Sequence, residues 1–458
     1  MQNTANPATN QMNHSKRGEW FGAGTVWSGR EVFPAAIRRS QEWLSDCRSE
    51  RALTSNLMER VCDLSNLERA CRHVISNGGS PGVDGMTVGL LGEWFNCYWG
   101  ELQESLRTSR YGPSPVRGAR IPKPCGGYRQ QGIPTVKDRL VQQALHQVLS
   151  PRYEVIFSAR SYGFRPGRSA HDALKQAAEY VSSGRCHVVD IDLAKFFDEV
   201  NHDRLLWLLG TRIGDKRVLR LIGLYLKSGL MAGGLSSQRS KGTPQGGPLS
   251  PLLSNIVLDE LDKELERRRH SFVRYADDLQ VFINSEAAGH RVLSSLVGYI
   301  ERKLRLKVNH SKSGVRECPD VNYLGYRLLR GGKFGLSADS ERRFKDKVRE
   351  ITRRNRGISF ERVLKELNRF LVGWLNYFYL CQMKKKLLHL MSWIRRKLRC
   401  YRLKQCKRAI GMARFLMKLG VPRSRSWTTA ASRKDWWRKS DTYAAHEGRN
   451  LKWFAEIG

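Results

Sequence analysis

The candidate catalytic residues of this sequence are three aspartates. Asp192 lies in the mostly apolar run at 188–193, and Asp277 and Asp278 stand together between two further apolar runs. Carboxylates in apolar surroundings are costly unless they are paired or bind cations. Neighbours along a strand point to opposite faces, but at a tight turn both side chains can approach one centre. Three carboxylates from two strands therefore predict a site for hard divalent cations, chiefly Mg²⁺.

Such a site has a definite chemistry. Two divalent ions held by carboxylates can activate a hydroxyl nucleophile and stabilise a leaving pyrophosphate. Taken alone, Asp277 and Asp278 would suit a solvated turn. Their apolar flanks and the matching Asp192 favour the metal site, because no other pair of acidic residues lies in comparably apolar surroundings.

The charge of the chain is strongly positive. Its 458 residues contain 80 Lys and Arg against 43 Asp and Glu, which gives a net charge of +37. The sequence pI is about 10.2, and a value above about 9 is typical of a nucleic-acid binder. The alternative is a generally basic protein whose charge prevents self-association.

The positive charge is concentrated near the C-terminus. Residues 367–434 contain no acidic residue, and aromatic residues alternate with the cations there. Cations hold phosphates and flat rings stack on unpaired bases, whereas a solvated charged face normally mixes both signs. The predicted nucleic-acid contacts are Arg369, Lys384, Lys385, Lys386, Arg395, Arg396, Lys397, Arg399, Arg402 and Lys404.

The composition also argues against several classes of protein. The ten cysteines include no Cys-x-x-Cys pair, so we expect reduced, mostly buried thiols rather than a zinc site. No apolar run approaches the length of a membrane span, and residues 1–20 lack the apolar core of a secretory signal. A transit peptide is a weaker alternative, because this segment has few arginines. We expect a cytoplasmic protein.

Periodicity predicts the elements that must position the aspartates. Helices are expected at 57–75, 136–149, 171–182 and 201–227, after Pro248, and again after 334 with Ser359 as an N-cap. Short strands are expected across 113–133, 187–193 and 271–283. These elements lack the regular strand–helix order of a parallel sheet, so we predict an α+β fold. The Gly- and Pro-rich loop at 77–85 suits a structural turn and a functional loop equally.

The motifs together resemble a known family. Asp192–Asp198 and Tyr275–Asp278 resemble the palm motifs of reverse transcriptases. The surrounding sequence resembles bacterial group II intron-encoded reverse transcriptase/maturases from about residue 55 onward. The blocks that carry this resemblance are Ile121–Arg139, Ser161–Arg168, Gly242–Pro251, Tyr323–Tyr326 and Leu367–Phe378. The endonuclease-lacking type associated with class C introns is most similar, since nothing after Gly420 resembles a paired-Cys, His-Asn-His endonuclease.

The resemblance implies roles for individual residues. Asp192, Asp277 and Asp278 would be the catalytic, metal-binding carboxylates. Phe197 would be a steric gate whose ring collides with a ribose 2′-hydroxyl, although a core aromatic is the alternative. The residues implied to contact the incoming nucleotide are Arg117, Lys123, Arg129, Phe197 and Gln245. Arg can hold phosphate through two hydrogen bonds and Lys acts as a point charge, but surface cations beside a turn would look the same.

Two features of the fingers follow from the same resemblance. The loop at 77–85 matches the family's N-terminal extension, which touches the template. Family members usually carry Asn, Asp or Gly where Cys125 stands, and Pro- or Leu-like residues where Gln130 and Gln131 stand. These departures affect how the fingertip hairpin closes over a nucleotide rather than the chemistry.

The implied architecture is a right-hand polymerase with a helical thumb. Its expected parts are a mobile N-terminal segment (1–40), an N-terminal extension of the fingers (41–110), reverse transcriptase fingers and palm (111–335), a helical thumb/maturase domain (336–400) and a basic C-terminal DNA-binding-like module without endonuclease (401–458).

The implied activity is RNA-directed DNA synthesis with two Mg²⁺ ions, for which Mn²⁺ is an alternative. Expected partners are group II intron RNA, an RNA template with a DNA primer, target DNA and dNTPs, with no membrane. The protein would promote splicing of its intron and copy it into DNA during retrohoming, in the bacterial cytoplasm near the nucleoid. Two alternatives stay open: a splicing maturase with a vestigial polymerase, against which the intact aspartates argue, and a domesticated reverse transcriptase for repair or defence.

Overall fold

The computed structural model describes residues 56–122, 127–232, 235–237, 241–243 and 246–456. The side chains of Arg129 and of residues 232–240 are not among the described parts. The N-terminal segment expected to be mobile, Lys123 and Gln245 lie outside the described residues. Within the ranges above, no helix has both the length and the hydropathy that crossing a membrane requires.

Helices and strands alternate irregularly, which confirms the predicted α+β fold. The strands are β1 (Val116–Pro122), β2 (Tyr128–Ile133), β3 (His187–Ile191), β4 (Leu230–Ala232), β5 (Leu235–Ser237), β6 (Ser271–Tyr275), β7 (Asp278–Ile283), β8 (Gly314–Glu317), β9 (Asn322–Tyr323), β10 (Tyr326–Leu329) and β11 (Lys333–Leu336). The helices before the thumb are α1 (Leu57–Val61), α2 (Leu64–Asn77), α3 (Leu91–Arg107), α4 (Val136–Glu154), α5 (Ala170–Ser182), α6 (Phe196–Glu199), α7 (His202–Gly210), α8 (Lys216–Lys227), α9 (Ser250–Arg267) and α10 (Glu286–Tyr299). The later helices are α11 (Ala338–Ile351), α12 (Phe360–Tyr377), α13 (Lys384–Gln405), α14 (Ala409–Lys418), α15 (Arg423–Ala431), α16 (Trp436–Lys439), α17 (Tyr443–Gly448) and α18 (Leu451–Glu456).

The palm is a four-stranded antiparallel sheet in the order β6-β7-β3-β8. Its central strands are apolar on both faces, since Val188 and Val189 of β3 and Val281 and Phe282 of β7 are all buried. Helices α4 and α9 bury residues all around their circumference. They belong with the palm strands and α1–α3 to one continuous hydrophobic core. That core makes the palm sheet a rigid platform.

A second sheet, β2-β1-β4-β5, forms the fingers. Strands β1 and β2 are an antiparallel hairpin in which Arg117 lies opposite Ile133. Strand β4 pairs in parallel with the start of β1 and in antiparallel with β5. This confirms the strand–turn–strand pattern predicted across 113–133.

The thumb is helical and has its own core. Apolar side chains of α11, α12 and α13, among them Phe344, Leu367 and Leu398, pack together. Ser359 caps α12 as predicted, because its hydroxyl accepts a hydrogen bond of 3.2 Å from the Arg362 N–H. The C-terminal helices α14–α17 close around a smaller cluster.

Two predicted helices were wrong in extent, because each is divided in the structure. The helix expected over 57–75 breaks at Cys62 and Asp63, and the Asp63 carboxylate caps α2 by accepting from the Ser65 N–H at 3.0 Å. The helix expected over 201–227 is divided into α7 and α8, with a break at 211–215. Asp215 is the N-cap of α8, and its other carboxylate oxygen accepts a bond of 2.9 Å from the backbone N–H of Met58 on α1. The helix breaks here because Asp favours N-caps over helix interiors. The same carboxylate connects α8 to α1.

Candidate active site

The register of the palm sheet brings the predicted carboxylates to one end of the sheet. Ile191, the last residue of β3, lies opposite Leu279 on β7. In an antiparallel pair, the residue after Ile191 then faces the residue before Leu279. Asp192 therefore lies beside Asp278.

A two-residue turn adds the third carboxylate. Tyr275 pairs with Asp278, so that Ala276 and Asp277 alone connect β6 to β7. Ala276 has φ 57°, a left-handed conformation that is uncommon for a residue with a Cβ but suited to a tight hairpin. The turn thus presents Asp277 and Asp278 at the end of β3.

A buried arginine fixes the backbone of this turn through hydrogen bonds. Arg274 is 1% exposed, and its Nε donates a hydrogen bond of 2.7 Å to Asp262 on α9. Its guanidinium also donates to the Asn255 amide oxygen at 3.0 Å and to the Ala276 carbonyl at 2.8 Å. A buried charge needs such partners. Here one of them is the backbone of the turn itself.

The segment 161–168 lies against the same turn. The Asn255 amide donates to the Gly163 carbonyl at 2.9 Å, and the Tyr162 N–H donates to the Arg274 carbonyl at 2.9 Å. A Cβ at Gly163 would lie 2.2 Å from the Ala276 backbone nitrogen. Only glycine allows this approach, so the close contact at residue 163 fixes the position of the turn that carries Asp277.

Asp192 is held by a segment that sequence reasoning missed. The Asn309 amide donates to Asp192 Oδ2 at 2.8 Å, and Lys312 Nζ lies 3.6 Å from the same oxygen. The backbone N–H of Asp192 donates to Ser313 Oγ at 3.0 Å. The signal for this contact is the run of polar residues at 309–313, but nothing in its spacing points to Asp192.

The charges at this end of the sheet repel one another. Asp278 reaches solvent, yet desolvation by the surrounding protein and the negative charges of Asp277, Asp190 and Asp192 raise its pKa to about 7. Lys312 opposes this shift only in part. The cluster therefore carries negative charge that a cation would stabilise.

Asp190 completes the cluster on β3. Burial raises the pKa of its carboxyl group, against the effect of Arg316, whose guanidinium lies 2.9 Å from Asp190 Oδ2. Because Asp190 already has this partner, we do not count it among the carboxylates available to a metal ion.

Within the described residues, the three predicted carboxylates do not by themselves complete a metal cage. Across the described parts of the chain, no three His, Cys, Asp or Glu side chains lie close enough to hold a metal ion by themselves. The physical reason is mutual repulsion, together with the ammonium of Lys312 beside Asp192. Mg²⁺ usually binds one or two carboxylates plus substrate phosphates and water. The donor set therefore fits a hard cation that enters with a triphosphate.

The nucleotide-contact residues are described only in part. Phe197 is half-buried against the palm core, and its ring meets that of Phe196 edge-on at 5.3 Å, which suits a steric gate and a core aromatic equally. Arg117 is half-buried on β1, and its Nε has no hydrogen-bond partner among the described residues. Arg129 lies on β2 opposite Ile121.

The loop at 77–85 is fastened to α4 by Arg139, a residue that sequence reasoning did not single out. The guanidinium of Arg139 donates to the carbonyls of Gly78, at 3.4 Å, and Ser80. A Cβ at Gly82 would lie 2.6 Å from the Cα of Thr135. The loop is therefore an ordered part of the fingers.

The predicted nucleic-acid contacts divide into two groups. The first group is exposed on α12 and α13, and we call these residues the exposed thumb cations: Arg369, Lys384, Lys385 and Lys404. Lys386 is also exposed but pairs with Glu341 on α11. Arg395 is half-buried. The first group can meet a polyanion without rearrangement.

The second group joins α13 to the C-terminal helices. Arg396 forms an ion pair of 2.9 Å with Asp441 and lies over the ring of Trp437. Arg399 is 5% exposed and donates to the Ser440 carbonyl at 3.1 Å. Burial lowers its pKa to about 10. The expectation that Arg399 belongs to an open cationic face does not hold.

Two further cations of this group pack on aromatic rings. Lys397 lies over the rings of Trp393 and Trp437, and Arg402 lies 4.3 Å from the centre of the Phe415 ring. Such contacts are worth about 0.5–2 kcal/mol depending on desolvation. These residues therefore contribute to packing as well as to charge.

The close approach at Gly163 yields a testable prediction. In Gly163→Ala, the new methyl group must displace the Ala276 backbone and with it Asp277. We expect Mn²⁺ affinity, measured by electron paramagnetic resonance with a nucleoside triphosphate present, to fall at least about tenfold, as for other residues that orient metal ligands. Gly100→Ala is the control, since no atom of the described residues lies within 4 Å of its added Cβ. Equal affinities in both variants would contradict the assigned role.

Comparison with known proteins agrees with this geometry. Residues 121–328 match the family described as reverse transcriptase (RNA-dependent DNA polymerase). Residues 341–420 match the maturase-specific domain of group II introns. The matched ranges contain the three aspartates and most of the thumb, so the chain has a reverse transcriptase domain followed by a helical maturase domain.

The chain is also similar to individual known proteins. Protein YkfC of Escherichia coli K12 is 32% identical over 308 residues, which cover 58% of this chain and 80% of YkfC. The group II intron-encoded protein LtrA of Lactococcus lactis is 40% identical over 210 residues, which cover 45% of this chain and 34% of LtrA. A telomerase structure from Candida albicans is 12% identical with a TM-score of 0.40, covering 74% of this chain and 70% of that chain. The chain belongs to the group II intron reverse transcriptase/maturase family.

Proposed function

We propose that this protein is the RNA-directed DNA polymerase of a group II intron, which binds its intron RNA to promote splicing and copies it into DNA during retrohoming. The observation that carries the proposal is the convergence of Asp192 with Asp277 and Asp278 at the end of the palm sheet. We place the protein with the class C type, because its motifs resemble that type most. The proposed location is the cytoplasm near the nucleoid.

The family implies a polymerase that depends on a divalent metal. When bound by Asp192, Asp277 and Asp278, two Mg²⁺ ions would activate the primer hydroxyl and stabilise the leaving pyrophosphate. In the reaction, the primer 3′-oxygen loses its proton and attacks the α-phosphorus of a dNTP. The bond from that phosphorus to the bridging oxygen breaks, and pyrophosphate leaves. Mn²⁺ is the alternative metal.

The chain's own residues would position the substrates for this step. Arg117, Lys123 and Arg129 are the proposed contacts of the triphosphate, and Gln245 is a further proposed contact of the nucleotide. The ring of Phe197 would exclude a ribose 2′-hydroxyl. Since nucleotidyl transfer needs little covalent chemistry from the protein, placement and charge supply most of the catalysis.

The proposed partners are group II intron RNA, an RNA template with a DNA primer, and target DNA. The exposed thumb cations support this, because they lie on the maturase domain and have no acidic residue near them in sequence between 367 and 434. The proposed domain order is the fingers extension to 110, the fingers and palm to 335, the thumb to 400 and a basic module thereafter. A maturase with a vestigial polymerase would not need Arg274 to keep its hydrogen bonds to Asp262, Asn255 and the Ala276 carbonyl.

The first test concerns the carboxylates. Asp192→Asn and Asp277→Asn remove a negative oxygen each, so DNA synthesis on poly(rA)/oligo(dT) with Mg²⁺ should fall at least about a hundredfold, because metal-supported charge stabilisation is worth several kcal/mol. RNA binding should persist. Asp203→Asn, an exposed residue of α7, is the matched control. Synthesis within tenfold of wild type in either active-site variant would reject the assignment.

The second test concerns the exposed thumb cations. Replacing all four with Gln should weaken binding of group II intron RNA and lower the slope of log affinity against log salt by about three units, at roughly 0.7–0.9 per phosphate contact. Filter binding across a salt series measures this. The control removes four exposed palm cations, Arg291, Arg302, Lys303 and Arg305.

The control matters because both variants lose the same net charge. A wild-type slope in the thumb variant would show that these cations are only a solvated surface. An equal change of slope in both variants would mean that total charge, rather than the thumb, determines RNA affinity. The buried Arg399 and its neighbours are left intact, since their loss would loosen the C-terminal helices.

A further inference from the structure

The backbone that carries Phe197 is bonded to the segment 241–243, far away in sequence. The Thr243 N–H donates to the Phe197 carbonyl at 2.6 Å, and the Gly242 N–H donates to the Val200 carbonyl at 2.8 Å. Phe197 is the second residue of the short helix α6, and Val200 directly follows the helix. The position of the Phe197 ring therefore depends on where residues 242 and 243 lie.

Gly242 permits this contact. Its φ is +90°, and a Cβ at this position would lie 2.9 Å from the Cα of Asp198 and 2.9 Å from the Phe197 carbonyl oxygen. Both the conformation and the space require glycine. The two segments meet backbone to backbone, so a shift of one must move the other.

His202 fixes Gly242 from the opposite side. It is 5% exposed at the start of α7, and its Nε2 lies 2.6 Å from the Gly242 carbonyl oxygen. Because a carbonyl can only accept, Nε2 carries the hydrogen. Asn201 caps α7 by accepting from the Arg204 N–H at 2.9 Å, and this anchors the helix that holds the imidazole.

The segment before Phe197 is anchored independently. The Ala194 N–H donates to the Lys307 carbonyl at 2.8 Å, and Asp192 is bonded to Asn309 and Ser313. The chain from Asp192 to Phe197 is thus fixed at its metal-binding end. Its far end is fixed by Gly242 and, through Gly242, by His202.

We propose that His202 is a positioning residue for sugar discrimination. Its bond to the Gly242 carbonyl holds residues 242 and 243 against the Phe197 backbone, and this keeps the Phe197 ring where a ribose 2′-hydroxyl would collide with it. The inference rests on the proposed function, in which Phe197 is the steric gate. His202 itself touches neither nucleotide nor metal.

The test compares nucleotide choice rather than total activity, because a merely structural role would lower both alike. Single-nucleotide incorporation gives kcat/KM for a dNTP and for the matching rNTP. His202→Phe keeps the ring but removes the donor, and the relative use of rNTP should rise about tenfold. His202→Gln keeps a donor at similar reach, so it should restore most of the wild-type ratio.

Phe197→Ala separately tests the premise that Phe197 is the steric gate. It should raise relative rNTP use at least as much as His202→Phe. The double variant Phe197→Ala/His202→Phe should add little to Phe197→Ala, because both changes act through one ring. An unchanged ratio in Phe197→Ala would reject the gate, while synthesis on the RNA template would still support the polymerase.

A raised ratio in Phe197→Ala with a wild-type ratio in His202→Phe would overturn the role of His202. Circular dichroism and thermal unfolding check that each variant folds. If His202→Phe does not fold, His202→Asn, whose amide is too short to reach the Gly242 carbonyl, replaces it. The same rise is expected there, and a wild-type ratio in that variant would equally overturn the proposal.

Discussion

The guanidinium of Arg274 lies buried beneath the turn that carries Asp277 and Asp278, and the active site depends on it. The carboxylates of the palm repel one another, and Ala276 adopts a left-handed conformation that is uncommon for alanine. Arg274 offsets both effects by donating to the Ala276 carbonyl while Asp262 and Asn255 satisfy its remaining charge and hydrogens. A buried ion pair is weak support for stability. Its value here is that it fixes where a backbone carbonyl lies.

Backbone contacts also fix other residues around the site. Three functional residues are positioned by backbone contacts with distant segments. Gly163 lies against the turn of Asp277, the Asn309 N–H donates to the Asp192 carbonyl at 2.8 Å, and Gly242 lies against Phe197. Two of these contacts require glycine because another backbone approaches its Cα. Nucleotidyl transfer is sensitive to misplacement of about 1 Å. Backbone contacts are suited to this demand, because they have fewer rotatable bonds than contacts between long side chains.

Much of this site could be predicted from sequence. Asp192, Asp277 and Asp278 stand in apolar runs whose period and flanking turns define β3, β6 and β7, and strand pairing then brings them together. The environment of each residue was not predictable. Nothing in the sequence pairs Arg274 with Asp262, or Asp192 with Asn309, 117 residues later. The sequence also did not show that Lys312 lies 3.6 Å from Asp192 Oδ2.

In the thumb, the sequence likewise predicts which side chains are charged but not which of them are exposed. A stretch without acidic residues predicts a cationic surface, and Arg369, Lys384 and Lys404 agree with it. Arg396 and Arg399 instead reach residues about forty positions later, where Arg396 pairs with Asp441 and Arg399 is buried. Residue type reveals that a side chain is cationic, but packing decides whether the charge meets solvent.

The most direct test of the account is to locate the metal. Crystals of the protein with an RNA template, a DNA primer and a non-hydrolysable dNTP analogue would be grown in Mn²⁺, and an anomalous difference map calculated. The account predicts Mn²⁺ bound to Asp192 and to the carboxylates of the Asp277-Asp278 turn, in contact with the triphosphate. A map in which the nucleotide is bound but no Mn²⁺ lies at these carboxylates would contradict it.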